Sequence, residues 1–353
     1  MVGQGAACLC VMTKIHALAP DRRAFLAMTT ATLALARPGL AQTATSWEAV
    51  AEAARSHDQL HAILVAQGGE TVVAEAPRGP GLSAAANVKS VSKTLVALLL
   101  GAAIDREVVP GVDATIGELA PGLIPANAAP EVADITLEDL VTLRAGLERT
   151  SGPEYGAWVA SGNWVADALG RPMVAEPGGR MLYSTGSTHI LGAVLSEVTG
   201  DSLLSLARQW LGNPLDVSIP PWTRDPQGRF MGGNEMALSP RAMLRIGEMV
   251  RQGGTLDGTR VISQDWLDRS FEPRGRSPFS GMSYGYGWFL GGQGEGRFAL
   301  ARGYGGQVIC VMPELETVVA ITSDPMRPAR SGGYFGDLMD LIRGPVLSAA
   351  RSA

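Results

Sequence analysis

Asn87-Val88-Lys89-Ser90-Val91-Ser92-Lys93-Thr94-Leu95 is the stretch on which the reading of this chain turns. Among its 353 residues are 26 arginines and only three lysines, and two of the lysines are Lys89 and Lys93. Lysine can do what arginine cannot: with a free pKa of ~10.4 against 12.5 or more, it can become neutral near pH 7 when buried. The apolar run Val91, Leu95, Val96, Leu98, Leu99 and Leu100 reads as a buried helix opened by Ser90. Helical spacing puts residues i and i+3 on one face, so Ser90 Oγ and Lys93 Nζ can converge as nucleophile and base. In the first turn, the positive end of the helix dipole and the serine N–H would face an attacked carbonyl oxygen. To serve as a base near pH 7, Lys93 must lose about three pKa units, roughly 4 kcal/mol, through burial. A capping serine beside a solvated lysine would give the same tetrapeptide, so it needs support from the rest of the chain.

Upstream, residues 1–44 read as a twin-arginine-type export signal. Asp21-Arg22-Arg23-Ala24-Phe25-Leu26 is followed by an apolar run to Ala36, and small residues allow cleavage after Ala41 or after Ala44. Either Met1 or Met12 can serve as the start. The run is too short to span a bilayer alone, so an exported, periplasmic protein without a stable membrane span is expected. Net charge is −5, and removal of four cations and one anion with the signal leaves −8. That balance, without a basic cluster, argues against nucleic acid as a partner. Cys310 is the only cysteine outside the signal, so the fold relies on its core, and the apolar run Val308–Met312 makes Cys310 a buried structural thiol.

Downstream and on both sides the pattern is mixed. Residues 46–56 read as a capped amphipathic helix; His61–Ala66 and Glu70–Ala76 read as a β-hairpin about Gln67-Gly68-Gly69. Residues 108–225 alternate Pro, Gly and Ala with short helical runs such as Leu137–Leu143 and Ile190–Val198, which suggests an inserted helical lobe. A helix at Ser239–Gln252 precedes strand-like runs at Tyr284–Leu290, Arg297–Arg302, Gln307–Met312 and Thr317–Ser323, and a helix at about Gly336–Arg343 closes the chain. A hairpin early and strands late imply one antiparallel sheet completed by both ends, with residues 45–107 and 226–353 forming a sheet-centred α/β (α+β) lobe around the insertion at 108–225.

Two later motifs support the Ser90 reading. Glu176-Pro177-Gly178-Gly179-Arg180-Met181-Leu182-Tyr183-Ser184-Thr185-Gly186 sets a tyrosine in a turn before a helix, and Arg302-Gly303-Tyr304-Gly305-Gly306-Gln307 reads as a glycine-rich strand. Ile135–Leu140 with Gly146-Leu147, Gly253-Gly254 through Ser263, and Tyr286-Gly287-Trp288 extend the pattern over nearly all of the mature chain. In this order and spacing the chain resembles the serine β-lactamase and penicillin-binding-protein superfamily, most closely the class C-type branch with its esterases and 6-aminohexanoate-oligomer hydrolases. The resemblance implies a five-stranded-type antiparallel sheet flanked by helices. It makes Ser90 the acylated nucleophile, Lys93 its base and Tyr183 the proton shuttle, with the backbone N–H groups of Ser90 and Gln307 as oxyanion donors.

Two departures bear on substrate. Where lactamases have Tyr-x-Asn, this chain has Tyr183-Ser184-Thr185, and Thr185 lacks an amide's paired donor and acceptor. Where they have Lys-Thr-Gly or His-x-Gly, it has Tyr304-Gly305-Gly306, without the cation that attracts a carboxylate. Thr185, Tyr304, Gly305 and Gly306 are the expected substrate-binding positions. The expectation is an exported serine hydrolase of a small ester or amide without a cofactor or metal; its alternatives are a β-lactamase, a D-amino-acid peptidase or a non-catalytic penicillin-recognising protein. His57 and His61 lack further ligands and His189 is expected to pack on the helix after Tyr183. Tyr155, Trp158, Trp164 and Trp288 can line a pocket or fill the core, and Asp167 and Glu176 are expected in solvent. The sequence leaves oligomeric state open.

Overall fold

A computed structural model describes residues 47–353. The export segment, its cleavage positions and the cap at Ser46 fall outside the described residues. Helix α1 (Trp47–Ser56) precedes the hairpin of β1 (Leu60–Gln67) and β2 (Glu70–Glu75), which turns on Gly68 and Gly69, both at positive φ. The two-residue β3 (Ala86–Asn87) leads into α2 (Val91–Asp105). Six short or medium helices follow: α3 (Ile116–Leu119), α4 (Leu137–Val141), α5 (Tyr155–Val159), α6 (Trp164–Leu169), α7 (Thr185–Thr199) and α8 (Leu203–Ala207). Capping boxes at Thr115/Glu118 and Thr136/Asp139 start α3 and α4, supplying partners to backbone N–H groups that short helices leave free. Among the described residues, the stretch 108–225 gives no strand to the main sheet.

Next come β4 (Ala237–Leu238), which pairs with β3, and α9 (Pro240–Arg251), capped by Ser239. The hairpin of β5 (Thr255–Leu256) and β6 (Thr259–Arg260), then α10 (Gln264–Ser270), lead to the strands β7 (Gly275–Arg276), β8 (Ser283–Tyr284), β9 (Phe289–Gly291), β10 (Phe298–Gly303), β11 (Gln307–Met312) and β12 (Thr317–Ser323). Helices α11 (Tyr334–Leu341) and α12 (Leu347–Ser352) finish the chain.

The main sheet is antiparallel, in the order β2-β1-β12-β11-β10-β9-β8-β7, so both ends of the described chain meet at β1 and β12. The first five in that order are the long strands expected from the sequence; three short ones extend the sheet at the β10 side. The expected strand Tyr284–Leu290 is broken, because Gly287 adopts φ +78° and lies against α2, where a Cβ would meet the Ala97 Cβ at 2.6 Å. The expected glycine-rich strand at 302–307 is a hairpin turn: Gly303 pairs with Gln307, and Gly305 and Gly306 both have positive φ.

The sheet is covered on both faces, which is why its strands read as nearly continuous apolar runs. Ala299, Ala301, Ile309, Val311, Val318 and Ala320 join α2 and α9 in one core, while the alternating Phe298, Leu300, Val308, Cys310, Val319 and Ile321 join α1 and α11 in a second. Cys310 is buried in that second core, and burial pushes its thiol up to about 12.

Candidate active site

The helix α2 is buried on every side, with Val91 through Ala103 all inaccessible, because the sheet lies beneath it and α7 and α8 lie against it. Ser90 sits in the turn that opens α2, at φ −70° and ψ −2°, and its side chain makes no cap bond to the helix backbone. The hydroxyl is therefore available to Lys93, whose Nζ lies 3.1 Å from Ser90 Oγ. Lys93 Nζ also contacts Thr185 Oγ1 at 3.1 Å and the Gly233 carbonyl at 2.7 Å. A neutral amine fits this set: it can donate one N–H to the Gly233 carbonyl and one to Thr185, leaving its lone pair for the serine O–H. Among the described residues Lys93 makes no ion pair, and burial lowers it from 10.5 to about 7, a disfavouring of the charged form on the order of 5 kcal/mol.

Tyr183 and Thr185 arrive at the head of α7. The Ser184 cap position makes no bond of its own to the helix; the loop residues Thr150 and Ser151 do the capping, with Thr150 Oγ1 accepting from Gly186 N at 2.7 Å and Ser151 Oγ accepting from Thr185 N at 2.8 Å. Thr185 Oγ1 is a further 3.0 Å from Ser151 Oγ. The Thr185 hydroxyl is thus buried and shared between Lys93 and Ser151. The Tyr183 ring stacks on Phe289 of β9, and Lys93 Nζ stands 4.9 Å from its centroid. Burial raises the phenol; hydrogen bonding with Ser90 and the charge of Arg302 act against that rise. Lys93 is therefore the group nearest neutrality at pH 7, and Tyr183 keeps its proton.

The β10–β11 hairpin reaches the Ser90 turn at Gly303, where a Cβ would lie 2.3 Å from the Val88 carbonyl oxygen. Tyr304 is exposed at the turn. Gly305 and Gly306 face away from α2, toward Asp324–Pro325 and toward Tyr334 and Leu338. Gln307 is buried, and its side chain closes on Ser323 through both an accepted N–H (3.1 Å) and a donated one (2.8 Å). Ser90, Lys93, Tyr183 and Thr185 thus come together, whereas among the described residues no hydrogen bond joins Tyr304, Gly305, Gly306 or Gln307 to Ser90.

Sequence reasoning missed the segment Gly232–Leu238, which is stapled to the Ser90 turn. Leu238 and Ala237 pair with Ala86 and Asn87, the Met236 carbonyl accepts from Val88 N at 2.9 Å, and Gly233 accepts from Lys93. Gly233 has φ +82°, and a Cβ there would meet the Thr188 Cβ at 2.7 Å, so the close approach to α7 requires glycine. Asn234 Nδ2 donates to Tyr155 OH at 2.8 Å. His189 holds this segment from below: its Nδ1 accepts from Gly232 N at 3.2 Å, which leaves Nε2–H to face Asp225 Oδ2 at 3.2 Å. Burial would raise Asp225, but hydrogen bonds from His189 and from Arg229 N outweigh it and hold the carboxyl low. The only sequence signal for this segment was the glycine pair.

A second omission is Arg302. Two residues before Tyr304, the partly buried guanidinium of Arg302 lies over the Phe335 ring and donates to Ser331 Oγ and the Ala329 carbonyl, both at 3.1 Å. Burial lowers it to about 10, which leaves it charged at pH 7.

The remaining expected positions are structural. Trp158 and Trp288 are fully buried, Trp158 and Trp164 flank His189 edge-on, and Asp167 pairs with Arg171 at 3.1 Å while Glu176 is exposed. His57 stacks edge-on to Tyr334 and His61 lies under Gly79. Among the described residues no group of metal-ligating side chains is clustered, and no single helix is long and apolar enough to cross a membrane.

Comparison with known proteins bears on the fold. A 6-aminohexanoate-dimer hydrolase of Paenarthrobacter ureafaciens is 26% identical over 178 residues, 47% of this chain and 45% of that one, so the match spans less than half of the relative's length. Among solved structures, EstCE1, a hydrolase with promiscuous acyltransferase activity, superimposes with a TM-score of 0.69 at 18% identity, covering 84% of this chain and 97% of that chain. A D-stereospecific amidohydrolase from Streptomyces sp. superimposes with a TM-score of 0.64 at 17% identity, with the same coverage of 84% and 97%. The family model described as Beta-lactamase matches residues 61–341, which takes in the Ser90 turn, Tyr183 at the head of α7 and the β10–β11 hairpin, and the chain belongs to that family.

Proposed function

We propose that the protein hydrolyses a small, weakly charged ester or amide through an acyl-enzyme on Ser90. The observation that carries this reading is Lys93: a buried lysine with no carboxylate partner, 3.1 Å from a serine hydroxyl at a helix start. In acylation the Ser90 proton passes to Lys93 as Oγ bonds to the substrate carbonyl carbon. Tyr183, held protonated, gives its proton to the leaving oxygen or nitrogen as the C–O or C–N bond breaks, and Lys93 restores it. Water then attacks the ester along the reverse route, releasing the acid and Ser90. The Ser90 N–H supplies one oxyanion donor, and loss of such a donor costs ~10²–10³ in rate. Resemblance assigns the second to Gln307 N; since the hairpin touches the nucleophile turn at Gly303, the adjacent Tyr304 N competes for that place. The 6-aminohexanoate-dimer hydrolase, EstCE1 and the D-stereospecific amidohydrolase, by their names, act on amide or acyl groups and support this substrate class. Arg22-Arg23 and the following apolar run favour export to the periplasm, which cell fractionation of the native chain checks.

A fluorophosphonate probe tests the mechanism: it should label the wild type at Ser90 and leave Ser90→Ala unlabelled. No labelling of well-folded wild type removes the serine-hydrolase reading. Comparing turnover of p-nitrophenyl butyrate, nitrocefin and a 6-aminohexanoate dimer then fixes the substrate class; nitrocefin turned over fastest would reverse the argument from Thr185 and Tyr304.

A further inference from the structure

Two residues that are not glycine adopt the left-handed conformation on facing sides of the nucleophile turn: Lys89 at φ +50° and Glu235 at φ +67°. Their side chains meet, with Lys89 Nζ 3.0 Å from Glu235 Oε1, and the other carboxylate oxygen accepts from Asn87 Nδ2 at 2.6 Å. Asn87 Oδ1 in turn accepts from Lys89 N at 2.9 Å, and the Lys89 carbonyl accepts from Ser92 Oγ at 2.6 Å. Every polar group of Lys89 is thus engaged, and both Glu235 oxygens are occupied by the residues just before Ser90. The pair is largely shielded, with the Lys89 and Glu235 side chains 17% and 24% exposed. A side chain with a Cβ is disfavoured at positive φ and relaxes to the right-handed or extended regions unless it is held there. Relaxation at Lys89 would rotate Ser90, the next residue, out of its alignment with Lys93.

We infer that Glu235 is a positioning residue, its carboxylate clamping Lys89 and Asn87 so that the turn stays left-handed and aims Ser90. This rests on the acyl-enzyme reading above. Glu235 acts through Lys89, so its importance depends on which residue occupies position 89. Glycine takes positive φ without strain and needs no clamp.

The test uses the full chain with Glu235→Gln, Lys89→Met, Lys89→Gly and the double variant Lys89→Gly/Glu235→Gln, and reads the second-order rate of fluorophosphonate labelling at Ser90. Glu235→Gln and Lys89→Met, each of which breaks the clamp, should lower the rate by about 10–10²-fold. In the Lys89→Gly background the same Glu235→Gln change should alter the rate by less than about twofold. A residue that only stabilised the fold, or touched the reacting groups directly, would cost the same factor in both backgrounds. That result, or wild-type labelling by Glu235→Gln, overturns the inference. If Glu235→Gln fails to fold, Lys89→Met decides it: a rate equal to wild type overturns it and a matching fall upholds it. Failure of the wild type to label at Ser90 instead removes the acyl-enzyme reading, and this inference with it.

Discussion

Helices α2 and α9 pack on the same face of the sheet, and each carries a cation shielded from water, yet the two cations are treated in opposite ways. On α9, Arg251 is held by Glu248 through Nε and a terminal nitrogen at 2.9 and 2.8 Å, both side chains being about one-tenth exposed or less. On α2, Lys93 is 3% exposed, and its hydrogen-bond partners among the described residues are two hydroxyls and a carbonyl. A buried charge persists when an opposite charge compensates its lost hydration, as Glu248 does for Arg251. Without that partner, the free energy is lowered by shedding the proton, which lysine can do and arginine cannot. The same surroundings that make Lys93 costly as a charge suit it to the base role proposed for it.

The sharpest way to break the contrast is to give α2 the cation of α9. Lys93→Arg cannot be neutralised near pH 7, so turnover should fall by about 10³–10⁴-fold, measured as kcat/KM on the best ester or amide substrate. Retained activity would refute the base role.

Giving Lys93 the partner that Arg251 has should have a smaller effect. The wild-type activity should rise with pH through about 7, as Lys93 loses its proton, and fall only where Tyr183 ionises, above its ordinary range. Thr185→Asp places a carboxylate at the position now bonded to Lys93 Nζ. It favours the ammonium, so the acid limb should move up by a unit or more and activity at pH 7 should drop by about tenfold. An unmoved acid limb would show that the limb belongs to another group.

Taking the partner away on α9 should not touch turnover at all. Glu248→Ala leaves Arg251 with only the distant Glu316 carboxylate, 3.5 Å away and exposed, and should cost about 2–3 kcal/mol in denaturant unfolding. Its pH–rate profile should coincide with that of the wild type. A shifted profile would mean that the two sites are coupled through the sheet.

Much of the fold could be read from the chain because the elements concerned follow one period. Strands β11 and β12 fall where the apolar runs Gln307–Met312 and Thr317–Ser323 placed them, and α9 lies within the expected Ser239–Gln252. The break between β8 and β9 was illegible, since it depends on Gly287 meeting α2, nearly two hundred residues away in sequence. The same holds within the site. Ser90 and Lys93 lie one helical turn apart, so their contact follows from local geometry. Tyr183 and Thr185 needed the family resemblance, being some ninety residues distant. Gly233 and Glu235 carried no pattern that separates a residue packed against the Ser90 turn from one on the surface. Lys89 shows this most plainly: no motif accounts for it in the sequence, and the fold gives it a carboxylate and a backbone conformation that lysine rarely adopts.

The sequence by itself determined that Ser90 and a lysine one helical turn on would share one face of an apolar helix, because helix geometry is set by neighbours three and four residues apart. Only the tertiary structure decided that Lys93 would be sealed among neutral acceptors while Lys89, four residues earlier, would be clamped by Glu235. Desolvation and ion pairing depend on what distant segments bring within a few ångströms, and that distance is written in the packing of Gly232–Leu238 and α7 against the nucleophile turn.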